Sequence, residues 1–304
     1  MSPALAGDTL LFLSFKSGLG NRLRALVGYE ALSRVRRCRL CVCWIPDVAC
    51  EAEFTDLFEP PGFTLVSEEE ARALRASETT CTYTDRTWFH DIWREHAPDV
   101  PWMTFLKEVR ASLDRLTPIA DIREAVISFR AAHRLSDALG VHIRHTDNVD
   151  LYARRPPTSG GVDPGRLSRV EGFAQVIGAH IATMPVFLAT DNPEIERMCC
   201  AQFGEPLVTY PKRYTTEWSH AEDASLPLRG PVRTSAVRDG LTEMLLLASC
   251  RRIVGTYYSS FSKFAAVWGG VDYLEMAGDV PAPHPTTDTT LAEFRSMGLT
   301  CTIF

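Results

Sequence analysis

The stretch that most constrains this chain is Leu139–Asn148, which reads LGVHIRHTDN. Leu139, Val141 and Ile143 alternate with Gly140, His142 and Arg144, a period of two that predicts a short strand. The strand then delivers Arg144, His145, Thr146 and Asp147 into a loop. In open α/β sheets ligands sit outside the carboxyl ends of strands. An arginine there offers phosphate oxygens a permanently charged, bidentate fork that lysine lacks. Two readings of Arg144 follow: it binds a phosphate, or it pairs with Asp147 for structure alone.

The rest of the chain repeats the same alternation. Thr9–Phe15 is a short apolar run that predicts a buried parallel strand. It ends in Lys16-Ser17-Gly18-Leu19-Gly20-Asn21, and Arg22–Val35 carries apolar residues at helical spacing. Strand, glycine turn and helix start together present backbone amides to an anion or a sugar hydroxyl. Asn21, Arg22 and Arg24 flank that start; the plainer reading is a βα turn with solvated arginines. Further strands are expected at Arg39–Ile45, Phe63–Val66, Pro185–Thr190, Pro206–Tyr210, Arg252–Thr256 and Val271–Leu274. Helices are expected at Glu68–Ala76, Phe105–Leu116, Ile119–Leu135, Val170–Ile181, Ser235–Cys250 and Lys263–Trp268. Asp191 reads as the N-cap of a helix starting near Pro193. The segment Thr79–Asp99 reads as an aromatic packing cluster, Asn148–Gly165 as a functional loop, Lys212–Thr234 as a long polar loop, and the C-terminus as a Pro-rich tail with a short helix near Leu291–Ser296.

At 304 residues the chain is long enough for two domains. The formal net charge of −6 argues against a general nucleic-acid binder, which needs a basic surface, but leaves room for a small phosphate site. MSPALAGDT leads straight into LLFLSF without a basic start, and no apolar run reaches membrane-spanning length, so the expected location is the cytoplasm. Of nine cysteines, Cys38, Cys41, Cys43 and Cys50 cluster. Leu40, Val42 and Trp44 interleave with them, the pattern of small hydrophobes on a buried strand, and no second spaced pair completes a zinc site. No Asp-x-Asp pair of the metal-dependent transferase type occurs.

Three segments resemble one family. They are Gly18-Leu19-Gly20-Asn21-Arg22, Val141-His142-Ile143-Arg144-His145-Thr146-Asp147 and Gly255-Thr256-Tyr257-Tyr258-Ser259-Ser260-Phe261-Ser262. Leu188-Ala189-Thr190-Asp191, and Arg238-Asp239 with Glu243, fall in the same order. Together they resemble the fucosyltransferases of the rhizobial nodulation, core α-1,6 and protein O-fucosyl group, covering the first forty or so residues and most of the C-terminal half. The resemblance implies an α/β, GT-B-like fold: two doubly wound, Rossmann-like domains facing a cleft. The division expected is an acceptor-side domain over 1–134, a GDP-sugar-binding domain over 135–280 and a tail over 281–304.

The resemblance further implies an inverting, metal-independent transferase without a cofactor. It would move a sugar, foremost fucose from GDP-fucose, to a glycan or small-molecule acceptor. His142 and Glu243 would contact the guanine, Glu243 standing where the family has an aspartate. Arg144, with Ser259 or Ser260 at the start of a late helix, would hold the β-phosphate. His145 stands where the family often carries a second arginine. Gly18, Gly20, Asn21, Arg22, His145 and Asp147 complete the expected donor-binding set. Asp150, Asp147 and Glu217 are the candidate bases, with Asp150 paired with Arg144 as the catalytic expectation. Two alternatives stay open: a different nucleotide sugar, or a nucleotide- or glycan-binding protein without catalysis.

Overall fold

The computed structural model describes residues 9–14, 17–47, 49–76, 80–84, 88–145, 168–214, 236–299 and 303. The chain divides into two compact units, Met1–Ala120 with Glu293–Thr300, and Asp121–Ala292 with Cys301–Phe304.

The first unit is built on a four-stranded parallel sheet of order β3-β2-β1-β4. Its strands are β1 (Thr9–Ser14), β2 (Arg39–Trp44), β3 (Thr64–Leu65) and β4 (Thr80–Thr84). Its helices are α1 (Leu19–Arg36), α2 (Glu68–Arg75), α3 (Phe89–His96) and α4 (Trp102–Arg115). β1 and β2 are almost wholly buried because the sheet is covered on both faces. On one face Leu11, Leu13, Cys41 and Cys43 pack around Ala71 of α2. On the other, Phe12 meets Tyr29 of α1 with ring centroids 5.3 Å apart. Two of the clustered cysteines thus serve as core residues. α2 starts at a capping box: Ser67 Oγ accepts from the Glu70 amide, and the Glu70 carboxylate accepts from the Ser67 amide.

The second unit carries a six-stranded sheet of order β10-β9-β8-β5-β6-β7, parallel except for β10. Its strands are β5 (Leu139–Ile143), β6 (Val186–Thr190), β7 (Leu207–Thr209), β8 (Arg252–Thr256), β9 (Asp272–Ala277) and β10 (Val280–Pro283). Its helices are α5 (Ala120–His133), α6 (Val170–His180), α7 (Pro193–Phe203), α8 (Val237–Ala248) and α9 (Ser260–Gly269); α10 (Pro285–Ser296) follows β10. Val141, Ile143, Leu188 and Val254 of the central strands pack with Phe173 and Ile177 of α6. Gly255 lets α9 lie close to β8: a Cβ there would overlap Ser262 Oγ and stand 2.7 Å from the Tyr273 hydroxyl.

Several expectations are corrected. α1 begins at Leu19, so Gly20 and Asn21 belong to its first turn rather than to the glycine turn before Arg22. The cap of α7 is Asn192, whose side chain accepts from the Glu194 and Ile195 amides at 2.9 and 3.2 Å; Asp191 is not the cap. α9 starts at Ser260, three positions before Lys263. The aromatic segment after α2 contains β4, and the Pro-rich tail contains β10 and a longer α10. β10 tolerates Pro281 and Pro283 because it is an edge strand paired on one side only.

Candidate functional site

In the second unit the chain runs outward from β5 to β6 and β7, then returns to β8 on the other side of β5. That reversal makes the carboxyl ends of β5 and β8 a topological switch point, where open α/β sheets hold their ligands. The two ends are tied by one hydroxyl. Thr256 Oγ1 accepts from the Arg144 amide at 2.8 Å and donates to the His142 carbonyl at 3.0 Å. Beside them, Asp191 Oδ1 at the end of β6 accepts from the His145 amide at 3.0 Å.

His142 is 5% exposed, and its imidazole stacks on Phe261 with centroids 4.9 Å apart at 22°. Its Nδ1 has no hydrogen-bond partner among the described residues. Burial first, then the nearby cations Arg144 and Lys212, push its pKa down to about 3. The ring is therefore neutral at physiological pH, with one nitrogen able to accept and the other to donate.

Ser259 precedes α9 and is 2% exposed. Its Oγ is likewise buried without a partner among the described residues. Ser260 is the first residue of α9 and is half-buried. A buried hydroxyl without a partner is unfavourable, and at a helix N-terminus it faces the end of the dipole that attracts anions.

Around these lies a buried ionic group that the sequence did not reveal. Lys212, which follows β7, has a fully buried side chain. Its Nζ lies 2.5 Å from Glu243 Oε1 of α8 and 2.8 Å from Glu196 Oε2 of α7. Tyr214 donates to Glu196 Oε2 at 2.6 Å, and its ring lies near the ammonium. Burial pushes the Glu243 carboxyl up to about 8 against the opposing pull of Lys212; burial also pulls on the Lys212 ammonium in the downward direction, but its contacts with Glu243 and Glu196 together outweigh this and hold it above its usual range. One cation thus stands between two carboxyl groups, and the group nears neutrality when Glu243 keeps its proton. Lys212 also lines a cavity of about 570 Å³ with Asp121, Tyr210, Arg238, Asp239 and Thr242, within the size range of small-molecule sites. Lys212, Glu196, Tyr214 and Thr256 had been assigned no role. The signal that could have marked Lys212 is the one that marked Arg144, a cation just past a strand end.

The remaining expected residues belong to the first unit or fall outside the described residues. Gly18, Gly20, Asn21 and Arg22 belong to the first unit. Gly18 is the N-cap of α1, and its carbonyl accepts from the Asn21 and Arg22 amides. Its φ of −68° is open to any residue. Arg22 is fully buried: its guanidinium donates to the carbonyls of Ser17, Ser14 and Ile45 at 2.7, 3.1 and 2.6 Å and pairs with Asp47 Oδ2 at 2.7 Å. The expectation of a ligand-facing or solvated arginine is corrected, since this one joins the ends of β1 and β2. Asp147, Asp150, Thr146, Glu217 and the loop Asn148–Gly165 lie outside the described residues. Among the described residues no group of three His, Cys, Asp or Glu side chains is placed to hold a metal ion, and no helix is long and apolar enough to cross a membrane.

No family model and no curated protein matches the sequence. Solved structures do match. The NodZ α-1,6-fucosyltransferase soaked with GDP-fucose is 15% identical over 88% of this chain and 94% of its own, with a TM-score of 0.55. The fucosyltransferase NodZ from Bradyrhizobium is 15% identical over 88% of this chain and 95% of its own, at 0.53. A FUT1 variant from Arabidopsis thaliana in complex with GDP is 13% identical over 88% of this chain and 70% of its own, at 0.51. The chain therefore has the α/β, GT-B-like fold that these fucosyltransferases share. Its two sheets, parallel except for β10, belong to that fold class.

Proposed function

We propose that the chain is an inverting, metal-independent glycosyltransferase that moves fucose from GDP-fucose to a hydroxyl of a glycan or small-molecule acceptor. The observation that carries this reading is the β5–β8 switch point. There the Nδ1 of a neutral His142 and the Ser259 hydroxyl, both without a partner among the described residues, lie on elements joined by Thr256, with Arg144 at the same strand end. The likeness in fold to proteins crystallised with GDP or GDP-fucose supports the choice of donor.

In this reading His142 and Glu243 meet the guanine, and Arg144 with Ser259 or Ser260 meets the β-phosphate. The acceptor oxygen attacks the anomeric carbon as the bond to the diphosphate breaks, through an oxocarbenium-like transition state. Negative charge grows on the leaving β-phosphate, where fixed donors stabilise it without reorganising. A carboxylate takes the acceptor proton; Asp150 is the proposed base, with Asp147 and Glu217 as alternatives.

Titration calorimetry with GDP, UDP and ADP tests the donor, and release of GDP from GDP-fucose on adding acceptors tests the transfer. GDP should bind in preference to the others, and Arg144→Ala should slow transfer on the order of 10²-fold, the effect of losing a preorganised donor. Equal affinity of Arg144→Ala and the parent chain for GDP would remove the phosphate role.

A further inference from the structure

We propose that the buried pair Lys263–Glu275 is the positioning element of the diphosphate site, fixing the turn Tyr257–Ser259 so that the Ser259 hydroxyl is presented without a partner. The inference rests on the donor reading given above.

Tyr258 has a φ of 65°. This left-handed conformation is rare for a bulky L-residue and persists only where the surroundings enforce it. The enforcing group is the Glu275 carboxylate. Glu275 Oε1, from β9, accepts the Tyr258 amide at 3.0 Å and lies 2.6 Å from Lys263 Nζ of α9. Both side chains are 6% exposed. The flanking amides are held as well. Tyr257 N donates to Ser168 Oγ at 2.7 Å, Ser168 donates in turn to the Met276 carbonyl of β9, and Ser259 N donates to the Thr256 carbonyl at 3.1 Å. Three consecutive amides are thus anchored, two of them through β9, while the Ser259 hydroxyl has no partner among the described residues.

A buried ion pair is a poor source of stability, since apolar side chains of similar size often do as well. What this pair adds is geometry. A carboxylate accepts from the strained amide more strongly than a neutral group would. Lys263, one turn into α9, holds that carboxylate and joins the start of the helix to β9. Residues that carry donors to a ligand need this kind of fixed support.

The test compares the parent chain with the apolar double variant Lys263→Met/Glu275→Leu and with Glu275→Gln. Two readouts are used: hydrogen exchange at the amides of residues 257–259, and the ratio of GDP to GMP affinity. A folded double variant should lose protection at these amides. Its GDP affinity should fall about tenfold, the size of one hydrogen bond to a charged group, with GMP affinity changed less than twofold. Glu275→Gln keeps a carbonyl oxygen for the Tyr258 amide and should lie between, and it carries the same comparison if the double variant does not fold. Unchanged amide protection, or equal losses for GDP and GMP, would overturn the proposal. A parent chain that binds neither nucleotide would overturn the donor reading, and the exchange data would still decide whether the pair fixes the turn.

Discussion

Lys212 Nζ lies 2.5 Å from Glu243 Oε1 inside the second unit, with the lysine side chain wholly buried and the glutamate nearly so. Neither residue type is stable there alone, because an isolated buried charge loses far more hydration than the protein returns. The pair, with Glu196, is therefore a single unit whose members stand or fall together.

Lys212→Met should destabilise the protein by about 1–3 kcal/mol, because Glu196 and a Glu243 that keeps its proton at neutral pH lose the donor they share. Glu243 sets the pH sense of the parent chain. Its folded pKa is raised above the ordinary 4.5 to about 8. The folded state therefore holds a proton that the unfolded chain releases, and this contribution is lost as pH rises from about 4.5 through 8. Denaturant unfolding of the parent and Glu243→Gln at several pH values checks this: their stability difference should shift against the parent as pH rises.

His142 runs in the opposite sense. Its folded pKa is depressed from 6.5 to about 3. The unfolded chain takes up a proton that the folded ring refuses, so stability present above 6.5 is lost as pH falls toward 3. Compared with His142→Gln, the parent chain should lose about 1.4 kcal/mol per pH unit across that window. Equal slopes for the two would show that the ring is protonated in the folded state.

Ser259→Ala should separate stability from binding. Removing an unpartnered buried hydroxyl leaves no donor or acceptor stranded, so thermal unfolding should stay the same or rise slightly. GDP affinity should nevertheless fall several-fold, roughly the effect of one hydrogen bond to a charged group. The half-buried Ser260 should give the smaller effect, and the reverse ranking would move the phosphate contact to Ser260.

Arg22→Met should destabilise the first unit by about 3–5 kcal/mol, because Asp47 loses its counter-charge and three carbonyls lose their donor. Arg22→Lys should recover only part, since a point charge cannot reach carbonyls at both strand ends as the planar fork does. Thermal unfolding of the two variants reads this directly.

The strands that position the site were legible because they are short apolar runs buried on both faces: β5, β6 and β8 fall where their patterns place them. β4 was hidden by the polar residues of Thr80–Thr84, and β10 by its two prolines, which only pairing at a sheet edge makes tolerable. Asp191 and Asn192 are equally good caps on paper. The choice fell to Asn192, while the Asp191 carboxylate accepts the His145 amide. Arg22 carried the look of an anion binder because sequence shows a charge at a helix start and not the carbonyls around it. Of the group Glu196, Lys212, Tyr214 and Glu243 the sequence marked only Glu243, by resemblance, since the members are brought together by the packing of α7, β7 and α8.

The Thr256 hydroxyl, shared between the His142 carbonyl and the Arg144 amide, acts as a calliper. It sets the spacing between the end of β5 and the end of β8 before any ligand arrives, with a bond on each side and no slack loop between. In the proposed reading, diphosphates of different nucleosides would all present the same width to that gauge, so selectivity among donors would be decided away from it, on the side where α8 and Lys212 stand. Redesign for another nucleotide would begin there and leave Thr256 untouched.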